Sequence, residues 1–378
     1  MILGIDASNI RQGGGVTHLV EILKEYDPYK HDFKKIVIWS CKNTLDKIPD
    51  NPNIQKIYSK YIEKGTLTTF YFQVFQIKKE LEFYSCDIVF VPGGTFLSKF
   101  KPYVTMSQNM LPFELKEAFR YKNLLKKLKF ILLFITQSYT FKNAKGVIFL
   151  TNYAKNIINQ KIPNLINSII IPHGINKLYS TNPKKQIESS SFNNFTKFNL
   201  LYVSILSPYK HQTNLVKSVC ELNELGYPIK LTLIGPSEKQ SLNEFKKTLS
   251  LYSNHGSCVN YLGSIDHKEL FKFYRESDAF IFASTCENLP IILIEAMSSG
   301  LPILCSNYGP MQEVLGQNEN MYFDPLNLDN IKEKIVQLFE SCTLREKISN
   351  ESFLRSLKYS WSDVADLTFK YLFENIRK

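Results

Sequence analysis

Short apolar runs alternate with longer amphipathic stretches along most of this chain. In the first half the strand-like runs are ILGID, KKIVIW, CDIVFV, YVTMS, GVIFL and SIIIP. Stretches between them, such as THLVEILKEY and TTFYFQVFQIKKEL, have the spacing of amphipathic helices. Alternation of strands and helices predicts a parallel sheet with helices on both faces. The alternation pauses at the polar, non-periodic stretch 180–198, which we interpret as a linker or inserted loop.

The alternation restarts beyond this stretch with NLLYVSI, IKLTLIG, VNYLG, DAFIFAS and PILCS, each followed by a helical segment. A chain of 378 residues exceeds the usual length of one domain. We therefore predict two doubly wound α/β domains, 1–179 and 199–357, joined by 180–198. Ligands of open α/β sheets bind beyond the carboxyl ends of the strands. Two such domains facing each other would form a cleft, and residues that directly follow strands are its candidate ligands.

The charge of the chain is positive, with 46 Lys and Arg against 35 Asp and Glu, or +11. Basic residues are dense between 99 and 145, where such a face attracts phosphate. Nucleic acid is not expected as a partner, because neither an aromatic stacking platform nor a reading-helix motif accompanies the basic residues. The segment 121–135, YKNLLKKLKFILLFI, combines lysines with bulky aliphatic residues. It is compatible with an anionic membrane surface and equally with a domain helix that has a basic solvated face.

The seven cysteines are scattered and never form a CxxC pair, which favours neither a disulfide framework nor a zinc site. No apolar run approaches the roughly 20 residues that span a bilayer. The start MILGIDAS resembles a strand and lacks the basic and apolar parts of a signal peptide. We expect a cytoplasmic protein, with peripheral attachment to the inner face of the membrane as one option.

A glycine loop, SNIRQGGGVTHL, follows the first predicted strand. Gly13, Gly14 and Gly15 permit positive φ and a close approach of ligand to backbone, and the helix that starts near Val16 would direct free N–H groups at an anion. A dinucleotide motif GxGxxG would require glycine at position 18, where the chain has His18, and a Walker lysine is absent. A flexible turn without ligand explains the same residues.

Two glutamates enclose an apolar segment in ENLPIILIEAMSSGLP, residues 287–302. Glu287 is expected on a loop at the edge of the sheet, before a buried helix that starts near Pro290 and ends near Gly300. An ionised Glu295 inside that helix is costly to bury without a partner. It either faces solvent or an arginine, or it faces a cleft and accepts hydrogen bonds from a diol. In the second case the two carboxylates would hold a sugar and a ribose, with the helix start and Lys210 of SPYKHQ at the diphosphate between them.

These motifs, in this order, resemble the retaining glycosyltransferases of family 4, which have the GT-B fold of two facing Rossmann-like domains with an interdomain cleft. STCENLPIILIEAMSSGLPIL looks like the E-x7-E signature of that family, SPYKHQ resembles its donor-phosphate lysine motif, and IIPHGIN resembles the segment before its interdomain linker. The glycine loop resembles its N-terminal counterpart. WSDVADLTFKYL is similar to the family's C-terminal helix, so that about 358–378 would pack back on the first domain.

The resemblance implies a metal-independent, retaining hexosyltransferase without a cofactor, since the nucleotide-diphosphate sugar is a substrate. Its acceptor would be a saccharide or a lipid-linked glycan, in surface polysaccharide or glycan biosynthesis. Lys210 and Glu287 would be catalytic. The donor would be bound by the following residues: Gly14, Gly15, Lys210, Glu287, Asn288, Leu289 and Glu295.

The chain departs from the family pattern at two positions. Ile205 lies near the place of a common arginine, and Gln108 and Asn109 occupy the place of a common histidine. Neither amide can act as a general base, so these two residues would bind hydroxyls on the acceptor or sugar side. A sugar-nucleotide epimerase with a GT-B-like fold, or a non-catalytic subunit that binds a nucleotide-sugar, are the alternative functions.

Overall fold

The computed structural model describes residues 1–163, 165, 167–252 and 258–377. The chain divides into two compact units. The first consists of residues 1–115, 125–174 and the chain from Tyr359 onward, and the second of residues 116–124 and 175–358. Each unit is built on one parallel sheet.

The described part of the first unit contains seven strands, which are β1 Ile2–Asp6, β2 Lys35–Ser40, β3 Ile54–Tyr58, β4 Ile88–Val91, β5 Tyr103–Met106, β6 Gly146–Phe149 and β7 Ser168–Ile170. The helices that begin in this half of the sequence are α1 Gly14–Lys24, α2 Lys42–Leu45, α3 Lys60–Glu63, α4 Thr66–Tyr71, α5 Ile77–Phe83, α6 Leu115–Ala118, α7 Leu124–Asn143 and α8 Asn152–Lys161. A π-helical turn, Phe72–Gln76, joins α4 to α5.

The described part of the second unit contains six strands, which are β8 Phe198–Val203, β9 Ile229–Ile234, β10 Val259–Tyr261, β11 Ala279–Phe282, β12 Ile303–Ser306 and β13 Tyr322–Phe323. Its helices are α9 Gln212–Glu224, α10 Lys239–Leu251, α11 His267–Glu276, α12 Ile291–Ser298, α13 Met311–Leu315, α14 Leu328–Glu340 and α15 Cys342–Ser356. The final helix, α16 Trp361–Arg377, returns to the first unit.

Both sheets are doubly wound. The strand order is β3-β2-β1-β4-β5-β6-β7 in the first and β10-β9-β8-β11-β12-β13 in the second. The order reverses direction between β1 and β4, and again between β8 and β11. At such a switch point the loops after two adjacent strands diverge, and a crevice opens at their carboxyl ends. The topology therefore identifies one candidate ligand crevice in each unit.

The apolar pattern predicted the class and most strands correctly. Every predicted run forms a strand, and the described chain adds two strands that were not predicted, β3 and β13. β3 is an edge strand whose residues are largely half-exposed, and β13 has only two residues. Neither contains the continuous apolar run that marks a strand buried on both faces.

The division into units differs from the predicted domain limits at two places. Residues 116–124 belong to the second unit, although they lie far from it in sequence, and the second unit begins at Ile175 rather than beyond 179. Hydrogen bonds between residues far apart in the sequence place 116–124 in the second unit. The alternation of apolar and polar residues gives no information about such bonds. The stretch 180–198 lies in the second unit, where Phe192 packs against Phe198 and Phe339 at centroid distances of 5.2 and 5.8 Å.

Helix α16 packs within the first unit. Trp361 lies edge-on to His18 of α1 at 5.6 Å between ring centroids, and Phe369 packs on Tyr26 and His31. Asp366 accepts a hydrogen bond from Lys30 at 2.6 Å and lies 2.8 Å from His31 Nε2. The last helix of the sequence thus completes the unit that contains the first strand.

Candidate functional site

The crevice of the second sheet is lined by the loops that follow β8 and β11. The loop after β8 runs into a 3-10 turn, Pro208–Lys210, and then into α9. The loop after β11 contains Glu287 and leads into α12. Because β8 and β11 are adjacent and parallel, both loops leave the sheet at the same edge. Lys210 and Glu287, 77 positions apart in the sequence, are thereby brought together.

Lys210 and Glu287 form an ion pair between Nζ and Oε1. Their side chains are only 7% and 13% exposed. The ammonium also lies 5.2 Å from the ring centroid of Tyr209 and 5.1 Å from that of Phe282, within the range of cation–π attraction. The Tyr202 hydroxyl donates to the carbonyl oxygen of Lys210 at 2.9 Å and holds the turn. The site thus contains a buried cation and a buried anion in fixed positions.

Helix α12, Ile291–Ser298, begins directly after Pro290 and ends two residues before Gly300, which agrees with the predicted limits near Pro290 and Gly300. Gly300 has φ +65°, and a Cβ there would come within 2.8 Å of the backbone of Thr181 and Pro183. This helix end therefore requires glycine. The side chains of Asn288 and Leu289 are both buried, at 5% exposure.

Glu295 is buried on α12 at 2% exposure, and Tyr274 of α11 donates a hydrogen bond to its Oε2 at 2.9 Å. Burial and the negative charge of Glu295 raise the pKa of Tyr274 well above its ordinary value, so that the hydroxyl remains a donor. This burial excludes the solvent-facing alternative for the carboxylate. Its role toward a ribose diol rests on the family resemblance alone and stays a prediction.

The first-unit candidates gather after β1 and β5. Of the three glycines only Gly13 has positive φ, at +72°; Gly14 and Gly15 are the first residues of α1. A Cβ on Gly15 would come 2.9 Å from Gln108 Oε1, so the glycine lets these two residues approach closely. Asn109 is exposed, and its side-chain oxygen accepts from the N–H of Leu111 at 3.1 Å. Binding of hydroxyls by Gln108 and Asn109 stays a prediction.

Sequence reasoning missed a buried carboxylate at the end of β1. Asp6 is 1% exposed, and burial raises its pKa to about 6 although hydrogen bonds from Ser8 and Gln73 oppose the rise. Gln73 Nε2 donates to Asp6 Oδ2 at 2.9 Å and to the carbonyl oxygen of Thr95 at 3.0 Å. The π-helical turn carries Gln73, and turns of this type recur at functional sites. The sequence feature that could have identified Asp6 is its place at the end of a predicted strand.

His18, which breaks the dinucleotide motif, is fully buried in the first unit. Its Nδ1 lies 3.0 Å from Nδ1 of His173, the histidine of IIPHGIN. Burial lowers the pKa of His18 to about 3 and that of His173 well below its ordinary value, so both rings are neutral. In the described part of the chain no group of three or more His, Cys, Asp or Glu side chains could hold a metal ion. Metal independence of any reaction stays a prediction.

Residues 183–355 match the family model described as glycosyl transferases group 1. This match covers less than half of the chain and makes its second half similar to a glycosyl transferases group 1 domain. The matched residues include Lys210, Glu287 and Glu295 and the loops that follow β8 and β11. Among curated proteins, the chain is 25% identical over 171 residues to the O-antigen chain mannosyltransferase B of Escherichia coli, which covers 44% of each chain. The chain spans less than half the length of the first curated relatives that it matches.

Solved structures match the described fold over nearly the whole chain. A sucrose-phosphate synthase from Thermosynechococcus elongatus superposes with a TM-score of 0.80 at 16% identity, covering 99% of this chain and 98% of that one. The Anabaena protein HepE, in complex with UDP-glucose, superposes with a TM-score of 0.73 at 16% identity, covering 99% of both chains. At this identity the likeness shows the fold alone: two Rossmann-like units of the GT-B type.

Proposed function

We propose that this protein is a retaining glycosyltransferase of family 4 that moves a sugar from a nucleotide-diphosphate sugar to a saccharide or lipid-linked acceptor, in surface polysaccharide or glycan biosynthesis. The observation that carries the proposal is the Lys210–Glu287 ion pair at the switch point of the group 1 domain. The names of related proteins support it, because they include a mannosyltransferase of the O-antigen chain and a fold neighbour in complex with UDP-glucose.

The proposed chemistry needs electrostatic stabilisation more than a protein nucleophile. Lys210 would neutralise the departing diphosphate, and Glu287 would hold hydroxyls of the donor sugar. The acceptor would attack from the face on which the diphosphate departs, so that the anomeric configuration is retained. In many enzymes, fixed charges directed at developing charge contribute most of the rate acceleration. The buried setting of both groups favours this, since a low dielectric strengthens each interaction.

The function is tested first by a thermal-shift screen against uridine, guanosine and adenosine diphosphates and their common sugars. A ligand that binds only the native state stabilises it by RT ln(1 + [L]/Kd), or about 2.7 kcal/mol at a hundredfold excess over Kd. For a domain of this size we expect one nucleotide series to raise Tm by about 5 °C or more. The same rise with EDTA present would agree with metal-independent binding.

The donor found in this way is then incubated with an acceptor panel, and the product linkage is assigned from its anomeric proton coupling. Retention of the donor's configuration supports the proposal, and inversion contradicts it. Epimerised donor in the absence of acceptor would favour the epimerase. Donor binding without transfer or hydrolysis over the whole panel would favour the non-catalytic subunit.

For the acceptor side we propose that α7 contacts an anionic membrane surface. Large apolar side chains along this helix are exposed at spacings of three and four residues, which forms one stripe: Leu125 75%, Leu128 52%, Leu132 60%, Ile135 58% and Tyr139 55%. Lys126 and Lys129 lie beside the stripe in sequence. An exposed apolar stripe flanked by lysines suits the headgroup region of a bilayer. None of the helices in the described part of the chain combines the length and apolarity that crossing a membrane requires.

Co-sedimentation with vesicles tests this contact. We expect binding to vesicles that contain anionic lipid, and a loss of that binding when four lysines of 121–135 become glutamine: Lys122, Lys126, Lys127 and Lys129. The matched control changes four lysines of the second unit to glutamine and should bind as the unmodified protein does: Lys239, Lys246, Lys247 and Lys268. Unchanged sedimentation of the first variant would exclude the membrane contact.

A further inference from the structure

A buried carboxylate from a distant part of the sequence lies against the second-unit crevice. Glu117 belongs to α6 and to the 116–124 segment, which the structure assigns to the second unit. Its side chain is only 8% exposed. Arg120 donates to both of its oxygens, at 2.6 and 3.1 Å, and the hydroxyl of Thr285 donates to Oε2.

Thr285 connects this carboxylate to both loops of the candidate site. It lies two residues before Glu287, and its backbone N–H donates to the carbonyl oxygen of Tyr209 at 2.9 Å. Its Oγ1 lies 3.0 Å from Nε2 of His211, the residue after Lys210. A hydroxyl has one proton, so when Thr285 donates to Glu117 its oxygen accepts from the His211 Nε2–H. One chain of hydrogen bonds thus runs from Glu117 to the residues beside Lys210 and Glu287.

The backbone of His211 explains why such a support is needed. His211 has φ +51° and ψ +29°, in the left-handed region that only a few per cent of residues other than glycine adopt, although histidine is found there more often than most. This sharp bend, directly after Lys210, turns the chain from the 3-10 turn into α9. A conformation of this kind is unfavourable by itself and persists only where the surroundings fix it. The side chain of His211 is only 7% exposed and is hydrogen-bonded to Thr285, and these contacts hold the backbone in this conformation.

The protonation states agree with this chain of hydrogen bonds. Burial raises the pKa of Glu117, but the hydrogen bonds from Arg120 and Thr285 outweigh burial and leave the pKa below its ordinary value. Burial, together with the charge of Arg120, lowers the pKa of His211 to about 4. At neutral pH an ionised carboxylate therefore accepts from Thr285, while a neutral imidazole keeps one N–H and places no second cation beside Lys210.

We propose that Glu117 is a positioning residue for the transfer reaction, which acts through Thr285 and His211 to hold Lys210 and Glu287 in their productive arrangement. The inference rests on the proposed function. The E-x7-E segment and SPYKHQ give no indication of this role for Glu117, because Glu117 is 93 residues from Lys210 in the sequence. Glu117 itself contacts neither Lys210 nor Glu287 in any of these hydrogen bonds, so it is not a catalytic residue in the strict sense.

A double-mutant cycle on transfer tests the positioning role. Misplacement of reacting groups by about 1 Å costs up to about a hundredfold, so E117A and T285V should each lower kcat about tenfold to a hundredfold per folded molecule, with a smaller change in KM for the donor. T285S keeps the hydroxyl and should recover most of the rate. Because Glu117 acts through Lys210, E117A/K210A should be no slower than K210A alone.

The control is Q240A. Gln240 Oε1 accepts from the backbone N–H of Lys122 at 3.0 Å, so this variant removes one hydrogen bond of the 116–124 segment that involves neither Glu117, Thr285 nor His211. It should transfer at the unmodified rate. If Glu117 served stability alone, E117A would transfer at the unmodified rate per folded molecule, and that result would overturn the positioning role alone. Multiplicative losses in E117A/K210A would mean that Glu117 acts independently of Lys210 and would overturn it as well. Unimpaired transfer by K210A would overturn the proposed function and this inference with it.

Discussion

Replacement of Lys210 by alanine should lower transfer by two to three orders of magnitude. Removal of one preorganised group that stabilises charge in the transition state costs about 2.7–4 kcal/mol, or about 10²–10³ in kcat. In the structure the Lys210 ammonium is buried, held by Glu287 and lodged against the rings of Tyr209 and Phe282. It is therefore a fixed charge, which needs little reorganisation when a diphosphate departs. Initial rates with the donor found by thermal shift measure the effect.

A loss of stability must be distinguished from a loss of transfer activity in this experiment. Removal of one member of a buried ion pair leaves the other charge without compensation, which costs about 3–5 kcal/mol of stability. The double variant K210M/E287Q buries no charge at the pair and should regain much of the Tm that K210A loses. We expect it to remain inactive. Recovery of both Tm and transfer in the double variant would mean that the pair is structural, which contradicts the assignment of Lys210.

Replacement of Glu287 by glutamine should lower kcat to a similar degree, about a hundredfold or more, but with the opposite effect on the affinity for a free nucleoside diphosphate. The carboxylate and the diphosphate compete for the same ammonium, because Glu287 is the ion-pair partner of Lys210. E287Q removes that competitor, so a diphosphate should bind it as tightly as the unmodified protein or more tightly. K210A, which lacks the ammonium, should bind the diphosphate more weakly. Calorimetric titration of both variants measures the contrast.

The glutamine side chain nearly preserves the shape of glutamate, so this variant isolates the charge. Weaker binding of the diphosphate by E287Q than by K210A would contradict the proposed division of roles, in which Lys210 contacts phosphate and Glu287 the donor sugar. Near-normal transfer by E287Q would remove Glu287 from the mechanism.

Much of the fold could be predicted because buried parallel strands have a local signature. A strand covered on both faces reads as a continuous apolar run, as in CDIVFV and DAFIFAS, and its end marks where a loop must begin. Lys210 and Glu287 were therefore placed after strands with no knowledge of the fold. The switch points of the two sheets were not visible, because they depend on which strands pair.

The surface of α7 shows a second limit of reasoning from pattern. Lysines mixed with leucines in 121–135 were compatible with a solvated basic face or with a membrane surface. The structure exposes Leu128, Leu132 and Ile135, each more than half, and so identifies an apolar side of the helix that the described chain leaves largely uncovered. Periodicity indicates that a helix has two faces, but only packing decides which face is covered.

By itself the amino-acid sequence determined the two α/β domains and the approximate ends of α12, because each of these depends on neighbours within about a dozen positions. Tertiary structure alone decided that Lys210 pairs with Glu287, that Tyr274 donates a hydrogen bond to Glu295, and that Glu117 lies in the second unit and accepts a hydrogen bond from Thr285. Hydrogen bonds and ion pairs form between atoms about 3 Å apart in space, whatever the separation of the residues in the sequence. Pairings across 77 or 168 residues therefore exist only once the sheet has brought the loops together.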